Sequence, residues 1–131
     1  MALDLDSYFE RIGFTGTRQA NEETLRALHE LHPAAIALES IDPWLGVPVS
    51  LELPALMDKL VHGGRGGYCY EHNMLFWAVL EALGFKVRGL SARVVYSTPP
   101  GGGRHPRNHM LMLVEVGGSR FIADVGFGGS Q

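Results

Sequence analysis

Cys69 is the single cysteine of the chain, and its thiol is the strongest candidate for a reactive group. It follows Arg65, two glycines and Tyr68, and the apolar spacing after it predicts that it lies in the first turn of a helix. A helix N-terminus offers partial positive charge and N–H donors, which favour the thiolate. The sequence therefore predicts a nucleophile; the alternative is a buried structural cysteine.

A thiolate nucleophile needs an imidazole that is itself oriented by a third group, and His109 and Asp124 fit these roles. A two-residue hairpin turn at positions 117–118 places Asp124 diagonally from His109 on one face of a sheet, with Cβ atoms about 7 Å apart or less. Gly126 would then face His109 and leave room for the ring. A three-residue turn would reverse this parity, and the alternative interpretation is an ordinary strand-end cap beside a solvated histidine.

Other candidate sites are weaker. His72 forms a Cys-x-x-His pair with Cys69, but there is no second pair at ligand spacing, so we expect no metal site and a helix-surface or supporting role for His72. Glu39 is either an exposed charge or the partner of Arg65. The glycine clusters match no phosphate-binding signature. The remaining histidines are expected to be exposed: His29, His32, His62 and His105.

The first half of the chain is predicted to be helical. Four helices are expected: Leu5 to Ile12, one that opens after Asn21 and breaks at Pro33, one from Pro54 up to Gly63, and one that contains Cys69 and stops at Gly84. Residues 41–52 hold two prolines and a glycine and are predicted to be an irregular connector.

From Phe85 onward the pattern changes to β-branched and aromatic residues separated by turn signals. Three strands are predicted: 87–96, 109–116 and 120–125, with a mobile surface loop at 97–107. The fold class is therefore α+β. We predict a helical bundle over residues 1–84 that carries the nucleophile, followed by an antiparallel β-sheet over residues 85–131.

Composition limits the partners. Eleven basic and 14 acidic residues give a net charge of −3, with no run of like charges, so neither nucleic acid nor an anionic membrane is expected. No stretch approaches the roughly 18 apolar residues of a membrane span, and no secretory signal is apparent. A cytoplasmic location is the default expectation.

Three ordered motifs carry a family resemblance: Arg65-Gly66-Gly67-Tyr68-Cys69-Tyr70-Glu71-His72-Asn73, Asn108-His109-Met110, and Asp124-Val125-Gly126-Phe127-Gly128-Gly129. Together they resemble the arylamine N-acetyltransferases. In that family the cysteine, histidine and aspartate of these motifs form a catalytic triad in a cysteine-protease-like arrangement. By match these are Cys69, His109 and Asp124.

The resemblance implies a ping-pong transfer in which Cys69 takes an acetyl group from acetyl-CoA and passes it to an arylamine or arylhydrazine. It also implies supporting roles for Arg65, Glu39 and Gly67. Substrate or cofactor contacts are expected at Tyr68, Tyr70, Gly126, Phe127 and Gly128. The family fold is a helical bundle, then a β-barrel, then an α/β lid.

The chain departs from the family pattern in two respects. Leu38-Glu39-Ser40 stands where Phe-Glu-Asn is common, so packing beside Glu39 is altered. Family enzymes are also longer, and the rest of the barrel and the lid would follow residue 131. An incomplete barrel has an open strand edge, through which we expect a homodimer. The alternatives are a related amide synthase that closes a macrocycle, and a non-catalytic domain that binds arylamine or a partner protein.

Overall fold

The computed structural model describes residues 3–92 and 109–126, which form a helical part and a small antiparallel sheet. The helices are α1 (Leu5–Ile12), α2 (Glu22–Ala35), α3 (Ile41–Leu45), α4 (Leu53–Leu56), which continues as a π-helical segment (Met57–His62), and α5 (Cys69–Leu83). The strands are β1 (Lys86–Ala92), β2 (His109–Val116) and β3 (Ser119–Ala123). This order agrees with the predicted α+β class.

Local sequence signals set several of the helix ends as predicted. The Asn21 side chain accepts a hydrogen bond from the Thr24 amide at 2.8 Å and caps α2. Gly84 ends α5 with a φ of 103°, a backbone conformation that glycine adopts without steric cost. The start of α5 at Cys69 confirms that the thiol lies in the first turn of a helix.

Two local predictions are wrong. Helix α2 does not break at Pro33 but continues to Ala35. Proline removes only one amide hydrogen bond this close to a helix end, and Arg11 donates to the Ala35 carbonyl at 2.7 Å. The connector is not irregular throughout, because residues 41–45 form α3. Pro43 lies in the first turn of that helix, where its missing N–H would have no intrahelical partner.

The hairpin between β2 and β3 has the predicted two-residue turn. Gly117 and Gly118 both have positive φ, 58° and 79°, and Val116 pairs with Ser119. The ladder ends where Met112 pairs with Ala123, so β3 is shorter than the predicted 120–125 and the expected pairing of residues 109 and 126 lies outside it. In β1 the described strand covers 86–92; positions 93–96 and the expected loop 97–107 lie outside the described residues.

Helix α5 connects the helical part to the sheet. It packs against β1 and β2, and the buried cluster draws side chains from both parts of the chain, including Leu28, Leu60, Phe76, Leu80, Met112 and Val114. The contact with β1 is close at Gly89, where a Cβ atom would lie 2.6 Å from the Trp77 ring. The division at residues 84 and 85 into two domains stays a prediction.

Candidate active site

Cys69 is half-buried at the first position of α5, and the backbone leading into it is tied to another segment. The Gly67 amide donates to the Ala37 carbonyl at 3.1 Å, and the Glu39 amide donates to the Gly67 carbonyl at 2.9 Å. A Cβ atom at Gly66 would lie 2.2 Å from the Ala37 oxygen, so only glycine permits this approach. The glycines before Cys69 thus allow two backbone segments to meet.

Charged side chains surround the same segment on its outer side. Arg65 Nη2 lies 2.9 Å from Asp42 Oδ1 but 4.0 Å from Glu39 Oε2, so Asp42 is the closer partner of Arg65. The Arg65 hydrogen bond, followed by that of Lys59, holds the pKa of Asp42 below its usual value. Lys59 Nζ contacts Asp42 Oδ2 at 3.0 Å and Glu71 Oε2 at 2.9 Å. We call Arg65, Asp42, Lys59 and Glu71 the charged network.

Glu71 links that network to the nucleophile segment. Its side chain is 1% exposed, and Oε1 accepts from the Tyr68 amide at 3.1 Å. Tyr68 and Tyr70 are part-buried on either side of Cys69, with ring centroids 5.8 Å apart. The charged network therefore reaches the backbone of the residue directly before Cys69.

His109 and Asp124 form the hydrogen bond that the strand parity predicted. His109 Nε2 donates to Asp124 Oδ2 at 2.5 Å, and the imidazole is buried. Asn73 Nδ2 donates to Asp124 Oδ1 at 3.0 Å and to the Met110 carbonyl at 2.8 Å, while Asn73 Oδ1 accepts from the Val125 amide at 2.9 Å. Three bonds from one buried side chain thus fix the carboxylate, the start of β2 and the segment that follows β3.

Gly126 brings this pair to the start of α5. A Cβ atom at Gly126 would lie 2.6 Å from the Cys69 carbonyl oxygen and 2.7 Å from the Cys69 Cα, so backbone packs against backbone here. The Gly126 amide also donates to Asp124 Oδ1 at 3.0 Å. Gly126, two residues after Asp124, therefore packs against the N-terminal end of α5.

The electrostatics of Cys69 differ from the sequence expectation. Burial raises the pKa of the thiol, the nearby Asp124 carboxylate raises it further, and the backbone N–H of Tyr70 acts in the opposite direction. The pKa of Cys69 is therefore raised, not lowered as its place at a helix N-terminus predicted. A thiol in this position needs a neighbouring base to remove its proton.

Sequence reasoning missed two residues of the site. Asn73 lies four positions after Cys69, and this helical spacing, which puts both on one face of α5, was the available signal. His29 was expected to be exposed, but it is half-buried and its Nε2 accepts from the Asp124 amide at 3.1 Å. Burial lowers the pKa of His29, which agrees with a neutral ring that accepts this bond.

The other histidine predictions have mixed outcomes. His62 is exposed, as expected, and His105 lies outside the described residues. The exposure predicted for His32 and the surface alternative for His72 are wrong, because both rings are fully buried and hydrogen-bonded to each other. A buried imidazole must find such partners, and sequence spacing does not reveal partners 40 positions apart.

Some expectations lie beyond what the structure describes. Phe127 and Gly128 fall outside the described residues. Within residues 3–92 and 109–126, no group of three or more histidine, cysteine or acidic side chains is arranged to hold a metal ion. In the same two ranges no helix has the length and apolar character needed to cross a membrane.

Sequence comparison gives the family. The profile described as N-acetyltransferase matches residues 22–131. The arylamine N-acetyltransferase of Mycobacterium tuberculosis is 46% identical over 132 residues, which cover 98% of this chain and 47% of the relative. The chain belongs to the arylamine N-acetyltransferase family. It spans about half the length of the curated relatives it matches.

Solved structures of arylamine N-acetyltransferases share the fold. The M. tuberculosis enzyme matches with a TM-score of 0.92 at 44% identity, covering 95% of this chain and 48% of the other. The Mycobacterium marinum arylamine N-acetyltransferase in complex with CoA matches with a TM-score of 0.89 at 44% identity, covering 94% and 46%. The family predicted from the three motifs is thereby confirmed, and the three-stranded sheet of the described residues is not a closed barrel.

Proposed function

We propose that Cys69, His109 and Asp124 act together as the catalytic triad of an acetyl-CoA-dependent arylamine N-acetyltransferase. The observation that carries the proposal is the 2.5 Å bond between His109 and Asp124, anchored by Asn73 and Gly126 beside the first turn of α5. The names of the relatives support acetyl transfer to an arylamine, and the CoA complex of the M. marinum enzyme supports acetyl-CoA as the donor. An arylhydrazine as acceptor stays a prediction from the resemblance.

In the proposed first half-reaction the imidazole takes the thiol proton. Since His109 Nε2 donates to Asp124, Nδ1 is the nitrogen that accepts this proton. The Cys69 sulfur then forms a bond to the acetyl carbon of acetyl-CoA and the carbon–sulfur bond to the cofactor breaks. The proton on the imidazole goes to the departing CoA thiolate. The Asp124 carboxylate fixes the tautomer and stabilises the imidazolium.

In the second half-reaction the acceptor amine attacks the acetyl-cysteine carbonyl. The amine nitrogen loses a proton to His109, the new carbon–nitrogen bond forms, and Cys69 leaves as the thiolate, which regains the proton. Backbone N–H groups at the start of α5, that of Cys69 among them, are the proposed donors to the developing oxyanion. The mechanism uses no metal.

Further residues have proposed supporting roles. Arg65, Glu39 and Gly67 hold the segment before the nucleophile through the contacts described above. Proposed substrate or cofactor contacts are Tyr68, Tyr70, Gly126, Phe127 and Gly128. A cytoplasmic location and the expectation of neither nucleic-acid nor membrane partners stay predictions from the sequence.

The experiment that tests this function is the intact mass of the chain after mixing with millimolar acetyl-CoA, beside Cys69→Ala and His109→Gln. We expect a gain of one acetyl group on the wild type, lost when an arylamine is added, and no gain on either variant. Rapid iodoacetamide labelling without acetylation would show an activated cysteine that lacks its donor site. The absence of both labelling and acetylation would contradict the proposal.

We also propose a homodimer through an open strand edge. Within the described residues β1 and β3 are the edges of the sheet, and Ile122 on β3 is 60% exposed. Light scattering coupled to size exclusion, over a dilution series, should show a dimer that dissociates at low concentration. A monomer at every concentration would contradict this proposal.

A further inference from the structure

Three buried side chains outside the proposed triad form a continuous hydrogen-bonded chain, which we call the histidine chain. Tyr8 Oη lies 2.7 Å from His32 Nδ1, and His32 Nε2 lies 3.0 Å from His72 Nδ1. His72 Nε2 lies 2.8 Å from the Ala37 carbonyl oxygen. All three side chains are fully buried, and they come from α1, α2 and α5.

A single arrangement of protons satisfies every contact in the chain when the rings are neutral. The Ala37 carbonyl can only accept, so His72 Nε2 carries a proton and Nδ1 is an acceptor. His32 must then donate from Nε2 and accept at Nδ1 from the Tyr8 hydroxyl. The carbonyl at one end thus determines the tautomers of both imidazoles.

The carbonyl at the end of the chain is the one that holds the segment before the nucleophile. Besides the His72 ring, the Ala37 oxygen accepts from the Gly67 amide at 3.1 Å. The Gly67 carbonyl in turn accepts a hydrogen bond from the Glu39 amide, so Gly67 is bonded to this segment through both of its backbone groups. His72 itself lies three positions after Cys69 on α5, so one side chain joins the nucleophile helix to the strand-like pairing that precedes it.

We propose that His72 is a positioning residue for Cys69, held in its Nε2-protonated neutral form by His32 and Tyr8 so that it fixes the Ala37 carbonyl against Gly67. The effect on Cys69 reactivity rests on the function proposed above. The effect on the backbone at Gly67 does not depend on that function.

The surroundings of the chain favour the neutral rings. Burial lowers the pKa of His32, and Arg11 of α1 together with His29 and His72 acts in the same direction. Burial also lowers the pKa of His72, although the backbone carbonyls of Ala37 and Gly67, followed by the charges of Glu71 and Glu39, oppose this shift. If a proton is added at His72 Nδ1, His32 must accept a hydrogen bond from it at Nε2 and carry its own proton on Nδ1. The Tyr8 hydroxyl then has no acceptor on His32.

The test begins with long-range proton–nitrogen NMR spectra of the wild type at pH 7, with His32→Gln and His72→Gln used for assignment. We expect both rings to carry their proton on Nε2. A proton on Nδ1 of His72 would overturn the proposal, because that ring could not donate to the Ala37 carbonyl in the observed geometry.

A matched pair of variants then separates the two bonds of His72. His72→Gln places an amide N–H near the former Nε2 and keeps the bond to Ala37, whereas His72→Asn offers an acceptor to His32 but does not reach Ala37. We expect amide exchange at Gly67 and Glu39 to rise about tenfold or more in His72→Asn and to stay within about twofold in His72→Gln. Urea unfolding measures the global stability of both variants, so that a local change in exchange is separated from global unfolding. Cys69 alkylation should slow only in His72→Asn.

Equal exchange at Gly67 in the two variants would overturn the positioning role, whatever their global stability. If His72→Asn does not fold, Tyr8→Phe takes its place, since it removes the donor that fixes the His32 tautomer; unchanged exchange and unchanged tautomers there would also overturn it. Wild-type Cys69 that alkylates like free cysteine would instead contradict the proposed triad, and the exchange result would still decide the role of His72.

Discussion

The segment before Cys69 is held from two sides by polar groups of opposite character. On the outer side the charged network contains part-exposed ion pairs, with Arg65 46% and Lys59 14% exposed. On the inner side the histidine chain contains fully buried neutral groups. Charges near water are screened by salt, whereas buried neutral rings respond to protonation. One backbone segment is therefore stabilised by two mechanisms that salt and pH can separate.

The largest effect is expected at the point where the charged network becomes buried. Glu71→Gln keeps the acceptor for the Tyr68 amide but removes the charge that pairs with Lys59. We expect the free energy of unfolding to fall by about 3 kcal/mol, as for other broken buried pairs. Urea denaturation measures it, with Glu22→Gln on the exposed face of α2 as control. A loss as small as that of the control would mean that Lys59 is satisfied by Asp42 alone.

Tyr8→Phe is the smallest change that disrupts the histidine chain, because it keeps the ring and removes only the hydroxyl. His32 Nδ1 then has no donor from Tyr8, and a buried acceptor left unpaired costs about 1–3 kcal/mol. We expect a loss of unfolding free energy in that range which does not change between low and high salt. A strong salt dependence of this loss would contradict the assignment of neutral groups to the inner side.

The two sides should also differ in their response to acid. Histidines in the unfolded chain titrate near 6.5, and the pKa values of His32 and His72 are lowered in the folded chain. Below pH 6.5 the unfolded chain therefore binds protons that the folded chain does not. The stabilisation is fully present above pH 6.5 and is lost as the pH falls towards the folded pKa values.

Urea unfolding between pH 7.5 and 5 measures this slope. His32→Gln should flatten it, and His62→Gln, at an exposed position, should leave it unchanged. An equal slope in the wild type and His32→Gln would contradict buried neutral imidazoles as the source of the pH dependence.

The smallest effect is expected for Arg65→Gln at the exposed end of the charged network. Its pairing with Asp42 at 2.9 Å is solvated, so we expect a small loss of unfolding free energy that disappears in high salt. The same variant tests the supporting role proposed for Arg65, because Cys69 alkylation should slow only slightly. A loss as large as that of Glu71→Gln would show that the network acts as one cooperative unit.

Two local features of the proposed reactive groups were predictable from the sequence because they depend on short-range rules. The Gly117-Gly118 pair with positive φ sets a two-residue turn, and the parity expected from it predicted the hydrogen bond between His109 and Asp124, although the paired ladder itself ends at Met112 and Ala123. The start of α5 at Cys69 followed from apolar spacing and the glycines before it. Because these features depend only on local geometry, they could be derived from the amino-acid sequence alone.

The groups that hold the site were not predictable in the same way. Tyr8 and His32 are 24 positions apart, and His32 and His72 are 40 apart, so their contacts arise only when α1, α2 and α5 pack together. Arg65 lies closer to Asp42 than to Glu39, and Asp42 is placed by helix α3. The sequence did not predict this helix, because the prolines of residues 41–52 indicated an irregular connector. The direction of the Cys69 pKa required knowing its burial.

The most direct test of the proposed triad is the rate of iodoacetamide alkylation of Cys69 as a function of pH, compared with His109→Gln and Asp124→Asn. We expect the wild type to react at pH 6 far faster than free cysteine, whose thiol titrates near 8.5, because the imidazole holds the proton. His109→Gln should react only as the pH approaches or exceeds that value, because it keeps the burial that raises the pKa of Cys69 and lacks the imidazole that would accept the proton. Identical profiles for the wild type and His109→Gln would contradict the proposed triad.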